Sequence, residues 1–138
     1  MRNSTVSDCY ILPLPKVHNA GGNITSVNNG KEIPFDIKRV YYLYDVPGGE
    51  VRGGHAHKQL EQLIVATSGS FDITLNDGNQ EKKFHLSRPY QGVYIPPGLW
   101  RVLDNFSSGS ICLVLASTTY SEDDYIRDFA HFKAYKTA

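Results

Sequence analysis

Arg52-Gly53-Gly54-His55-Ala56-His57-Lys58, with Glu61-Gln62 close behind, is the stretch on which the reading of this chain turns. In an extended strand the side chains alternate between faces, so His55 and His57 share one face, roughly 7 Å apart along the chain. Two imidazoles aimed into one space are either ligands for a metal or a pair of proton carriers. Arg52 stands at the bend before them.

The surroundings of this stretch say what kind of fold presents it. Glycine, proline and Asn/Asp clusters punctuate the chain at short intervals, with runs rich in Val, Ile, Tyr and Phe between them. That pattern predicts an all-β sandwich or barrel. The expected strands are Tyr10–Leu12, Ile24–Val27, Ile37–Tyr44, Gln62–Ala66, Ser70–Leu75, Lys82–Leu86, Gly92–Ile95, Trp100–Asn105 and Ser110–Ser117. Asn76-Asp77-Gly78-Asn79 is a hairpin turn, and Pro96-Pro97-Gly98 a tight turn. The tail differs. Ser121-Glu122-Asp123-Asp124 predicts a helix start, and Tyr125, Ile126, Phe129, Phe132 and Tyr135 follow at helical spacing.

The 138 residues fit one domain, spanning 1–138, with enough chain to bury a core. Fourteen Lys and Arg balance fourteen Asp and Glu. A neutral chain gives no support to nucleic acid or a membrane surface as the main partner. Cys9 and Cys112 lack metal-type spacing and read as ordinary reduced thiols. The N-terminus lacks the apolar core of a signal peptide, and no run of about eighteen apolar residues appears, so a cytoplasmic location is expected.

Two motifs refine the barrel. Gly49, five residues, His55-Ala56-His57, three residues and Glu61 follow the first histidine motif of the cupins, the small double-stranded β-helix (jelly-roll) barrels. Pro97-Gly98, two residues, Arg101, three residues and Asn105 follow the second, with Arg101 where a third metal-binding histidine stands in other cupins. A guanidinium stays protonated and has no lone pair for a metal. The resemblance therefore implies a cupin with a short C-terminal helix. Its favoured pocket is metal-free, and its imidazoles move protons, as suits side chains that titrate near neutrality. His55, His57 and Glu61 as a metal-binding facial triad is the alternative. His18, His85 and His131 have no such context.

More narrowly, the chain resembles the TDP-4-keto-6-deoxyhexose 3,4-ketoisomerases. The resemblance runs through Ile33–Asp45, Arg52–Gln62, Tyr94–Trp100, Asn105–Ser107 and Asp123–Arg127, with Phe132 and Tyr135. It is most specific where Ile37-Lys38-Arg39-Val40-Tyr41-Tyr42 joins the Arg-Gly-x-His-Ala-His-Lys block. It departs at Asn19-Ala20-Gly21-Gly22, where the family often shows Asp-x-Arg-Gly.

The resemblance implies an isomerase that moves the carbonyl of a TDP-4-keto-6-deoxyhexose from C4 to C3 through an enediol, in deoxyamino-sugar and O-antigen or lipopolysaccharide biosynthesis. No redox cofactor is needed, and no dinucleotide fingerprint is present. His55 is the leading carbon base by its place in the motif, and His57 its partner. Arg39 and Arg52 are expected on the pyrophosphate, with Lys38 and Lys58 weaker candidates, because arginine suits planar contacts to phosphate. Tyr41, Tyr44, Tyr94 and Trp100 are candidates for the thymine. Glu61 is expected to orient a partner or a histidine, and Arg101 to line the substrate pocket. A homodimer is implied. A non-catalytic sugar-nucleotide-binding cupin is the reading from another class.

Overall fold

The computed structural model describes residues 2–138 as two facing five-stranded sheets and a C-terminal helix. The first sheet has the order β1 (Tyr10–Pro13), β9 (Gln91–Ile95), β6 (Gln62–Ser68), β11 (Ile111–Ala116), β4 (Arg39–Leu43). The second has the order β12 (Tyr125–Ile126), β5 (Arg52–His57), β10 (Trp100–Asp104), β7 (Phe71–Asn76), β8 (Glu81–Leu86). A small hairpin pairs β2 (Val17–Asn19) with β3 (Gly22–Ile24). This is the expected cupin sandwich: neighbouring strands run antiparallel, and strands close in sequence cross between the sheets.

Alternation sorts the side chains into three layers. Ile64 and Ala66, Val93 and Ile95, Cys112 and Val114 point from the first sheet into the barrel, where they meet Phe71, Ile73, Leu75, Leu86 and Leu103 of the second. The intervening positions Leu63, Val65 and Leu115 point outward and are covered by Leu14, Ile33 and Phe35 from the N-terminal third. On the outer face of the second sheet Ala56 packs on Ile126 and Phe132. Gly92 leaves room for the Leu63 side chain of the neighbouring strand β6, since a Cβ there would stand 2.9 Å from it.

Most strand expectations hold to within a residue or two. The predicted Ile24–Val27 strand is instead the hairpin of β2 and β3, turned by Asn19–Gly22, the segment where the chain departs from its relatives' pattern. The tail is a larger correction. The helix, α1 (Phe129–Thr137), begins eight residues after Ser121, and its cap is Asp128, whose carboxylate accepts the His131 N–H at 2.9 Å. Residues 122–124 form a single 3₁₀ turn, and Tyr125–Ile126 pair with His57 and Ala56 as an edge strand. The acidic run does not start the helix because Asp124 is engaged elsewhere: its carboxylate accepts the backbone N–H groups of Gln59 and Leu60. Residues 120–127 thus form a strap across the end of the barrel. No helix of the described residues is long and apolar enough to cross a membrane.

Candidate active site

β5 delivers both histidines to the barrel interior, as their spacing predicts. The rings are 4.9 Å apart, nearly perpendicular and buried. The Arg-Gly-Gly lead-in has a structural purpose. Arg101 pairs with His55 and Leu103 with Arg52, so β5 carries one residue more than β10 between these pairs. Gly53, at φ +74°, accommodates that bulge. The bulge re-aims the strand after Arg52.

Arg101 faces His55 from β10 and is fully buried. Its guanidinium donates to His55 Nε2 from Nε at 3.3 Å and Nη2 at 3.1 Å, and Nη2 donates to the Tyr41 hydroxyl at 3.0 Å. A guanidinium only donates, so His55 Nε2 is the acceptor and the ring proton sits on Nδ1. Burial first, and then the Arg101 charge, push the His55 pKa down from 6.5 to about 2.

His57 is held from the opposite sign of charge. Its Nδ1 lies 2.9 Å from Asp124 Oδ2. A carboxylate accepts, so Nδ1 carries the proton and Nε2 keeps its lone pair. That Nε2 is buried and has no protein partner among the described residues. Burial, followed by Arg101, lowers the His57 pKa to about 4, against the opposing pull of Asp124. Both imidazoles are therefore neutral near pH 7; the His57 Nε2 lone pair is free to accept a proton, and the His55 Nε2 lone pair becomes free once Arg101 releases it.

The strap closes the site. The Tyr125 ring lies 5.0 Å from the His55 ring and 4.4 Å from the His57 ring. Tyr120 packs on Tyr125, and the Arg127 guanidinium sits 4.1 Å above the Tyr125 ring while pairing with Glu122. Arg39, on an inward position of β4, lies over Tyr41 at 4.4 Å and Tyr120 at 5.2 Å, and its Nη1 is buried without a protein partner among the described residues.

Of the residues expected from the sequence, the fold gathers His55, His57, Arg101, Tyr41 and Arg39. It leaves others apart. Trp100 alternates with Arg101 and so points outward, against Phe129 and Phe132 of α1. Tyr94 lies on the outer face of the first sheet, its ring tilted against those of Tyr10 and Phe35, and its hydroxyl donates to Glu61 at 2.6 Å. Glu61 therefore faces Tyr94 and orients no histidine; that task falls to Asp124. Tyr44 is exposed beside Tyr42. Arg52 is exposed at the start of β5, and Lys58 lines a shallow groove beside Asp124.

The metal-binding alternative fails on the same alternation. Glu61 shares its face with Leu63 and Val65, whereas the inward position is Gln62, in register with Ile95 and Ala116. An amide is a poor substitute for a carboxylate ligand, and a cation between the histidines would face the Arg101 guanidinium. Sequence reading passed over Gln62, Asp124, Tyr120 and Tyr125. Strict period-2 counting from Ile64 finds Gln62; nothing local marks Asp124, whose role depends on a contact 67 residues away in sequence. Wider grooves of about 780 and 420 Å³ lie on the outer surface, lined by residues such as Tyr94 and Pro96, or Leu14 and Leu113, and neither holds paired titratable groups of this kind.

Paired neutral imidazoles, one beside a guanidinium and one backed by a carboxylate, inside a cupin barrel, define an acid/base isomerase. The family model described as "FdtA: WxcM-like, C-terminal" matches residues 7–137. A curated TDP-4-oxo-6-deoxy-α-D-glucose-3,4-oxoisomerase from Aneurinibacillus thermoaerophilus is 42% identical over 125 residues, 91% of this chain and 90% of that protein. A 3,4-ketoisomerase from Helicobacter canadensis superposes with TM-score 0.93 at 44% identity, over 95% of this chain and 98% of that one. A mutant 3,4-ketoisomerase from Thermoanaerobacterium thermosaccharolyticum, solved with TDP-4-keto-6-deoxyglucose, superposes with TM-score 0.92 at 35% identity, over 94% of each chain. The chain belongs to the FdtA family and is a sugar 3,4-ketoisomerase.

Proposed function

We propose that the chain takes a TDP-linked 4-keto-6-deoxyhexose and moves its carbonyl from C4 to C3, with His55 working at carbon and His57 at oxygen. The observation that carries this division is the opposite partnering of the two rings. The C3 hydrogen is acidic because it flanks the ketone. Its removal by His55 leaves an enediolate whose negative charge develops close to the reacting carbon. Arg101, touching His55, is placed to stabilise that charge. In the resting site the same guanidinium occupies His55 Nε2; as it turns towards the substrate oxygens it frees that lone pair for the C3 hydrogen.

His57 then takes the proton from O3 and returns it to O4. Asp124 stabilises the imidazolium that forms in between. Protonation at C4 by His55 completes the exchange, with every proton accounted for and no net oxidation or reduction. Arg39 supplies charge for the pyrophosphate, with Arg52 at the rim; Tyr41 and the strap tyrosines offer flat surfaces for the base. Val40 and Tyr42 on the outer face of the edge strand β4 and Tyr44 just beyond it are exposed in a row, and this face supports pairing of two copies into a homodimer. The buried free thiols Cys9 and Cys112 suit a reducing, cytoplasmic location.

Incubation with TDP-4-keto-6-deoxyglucose in D₂O, followed by NMR, tests this reading. A C3 carbonyl with deuterium at C4 is the expected product. Binding without any carbon-proton exchange would instead make the barrel a non-catalytic sugar-nucleotide receptor.

A further inference from the structure

Gln62 opens β6 immediately after the connection Lys58–Glu61, which turns the chain from the end of β5 into the opposite sheet. His57 ends one strand and Gln62 begins the next, both on inward positions. Gln62 is 2% exposed, and its Oε1 is buried with no protein partner among the described residues. Buried amide oxygens without partners are rare in native proteins, because the lost hydration is not replaced. Three other buried atoms share this condition on inward positions of the barrel: His57 Nε2, Arg39 Nη1 and Arg101 Nη1. The His57 nitrogen and both arginine nitrogens have evident uses in the reaction described above. The Gln62 amide has none so far.

We propose that Gln62 contacts the reacting part of the bound hexose, its amide pairing with the ketone and the neighbouring hydroxyl together before that hydroxyl turns its proton to His57. This rests on the ketoisomerase reading. An α-hydroxyketone presents one acceptor and one donor side by side, and a primary amide presents the complementary donor and acceptor. The reaction interchanges ketone and hydroxyl. An amide rotated half a turn about its last torsion fits the product as well as the substrate, and so grips the sugar before and after the exchange. A carboxylate at this position would lack the donor and would repel the enediolate; an aliphatic side chain would offer neither contact.

The test compares wild type, Gln62→Leu and Gln62→Glu. Affinities for TDP and for TDP-4-keto-6-deoxyglucose are measured by calorimetry, alongside kcat across pH and melting temperature. Gln62→Leu is expected to bind TDP as wild type does. It should lose the extra affinity contributed by the sugar and about tenfold to a hundredfold in kcat. In Gln62→Glu, kcat should rise as pH falls, because the protonated carboxyl regains both donor and acceptor; wild type shows no such rise. Equal turnover and affinity in all three proteins overturns the proposal. So does a parallel loss of TDP affinity and melting temperature in Gln62→Leu, which marks a packing role. A wild-type protein that binds the TDP-hexose more tightly than TDP, yet never exchanges carbon protons, overturns the ketoisomerase reading alone. The sugar contact is then judged by affinity, and its absence in wild type overturns the proposal as well.

Discussion

His55 and His57 lie two residues apart on one strand and face the same interior, yet they have been given opposite companions. One touches a buried guanidinium and the other a carboxylate. A cation beside an imidazole opposes its protonation and favours a nearby anion. An anion beside an imidazole favours its protonation and fixes the tautomer. A repeated residue type has thereby been given two electrostatic settings by its neighbours, and those neighbours come from distant parts of the chain. The difference teaches that the motif supplies the bases while the fold decides what each does.

The division is broken or sharpened most directly by removing each ring in turn. His55→Asn is expected to lower kcat by about 10²–10⁴-fold and to abolish C3-hydrogen exchange with D₂O, since the group at carbon is gone. His57→Asn is expected to lower product formation while solvent exchange at C3 persists, because the enediolate still forms. NMR in D₂O reads both, and the reverse pattern would interchange the two roles. Arg101→Gln comes next, at about 10²–10³-fold in kcat if the guanidinium stabilises the enediolate. Arg101 depresses the His55 pKa, so its removal raises that pKa and moves the acid limb of the kcat/KM profile to higher pH. Asp124→Asn follows, at about tenfold to a hundredfold, as for other groups that orient a histidine. A kcat unchanged by this substitution would show that Asp124 serves the strap alone.

The smallest effect concerns stability. Both histidines are neutral in the folded protein down to well below their ordinary value of 6.5. Above pH 6.5 neither the folded nor the unfolded chain protonates them, and nothing is lost. As pH falls from 6.5 towards 4, the unfolded chain takes up protons that the folded one refuses. Stability then declines by about 1.4 kcal/mol per pH unit for each such group. Melting temperature should fall over this range, and His55→Gln or His57→Gln should flatten the fall. An unchanged slope would mean that the rings are less shielded than their burial indicates.

Much of this was legible in the sequence because it is local. Alternation around His55-Ala56-His57 put both imidazoles on one face, and the Asp-Gly and Pro-Gly turns marked strand ends. Arg101 announced itself by standing where a histidine is expected. Misplacements arose where alternation was not followed through: Trp100 lies one residue from Arg101 and therefore faces the helix, and Glu61 lies one residue from Gln62 and therefore faces Tyr94. The strap was misread for a different reason. Ser121–Asp124 has the composition of a helix start, and only the competing hydrogen bonds from Gln59, Leu60 and His57 to Asp124 hold it otherwise. No window of sequence contains both ends of those bonds.

The strap also has a temporal meaning. It is translated after β11, when every other strand of the two sheets has already been made. Its anchorage comes later still, from Phe132 buried against the outer sheet and from Lys136 Nζ, which donates to the carbonyls of Ser4 and Gly98. Asp124 and the helix behind it thus come from the last part of the chain to be made, whereas Arg39, Tyr41 and Arg101 stand on earlier strands. A chain cut short before Phe132 would keep Arg39, Tyr41 and Arg101 but lose the packing and the Lys136 contacts that secure the segment carrying Asp124.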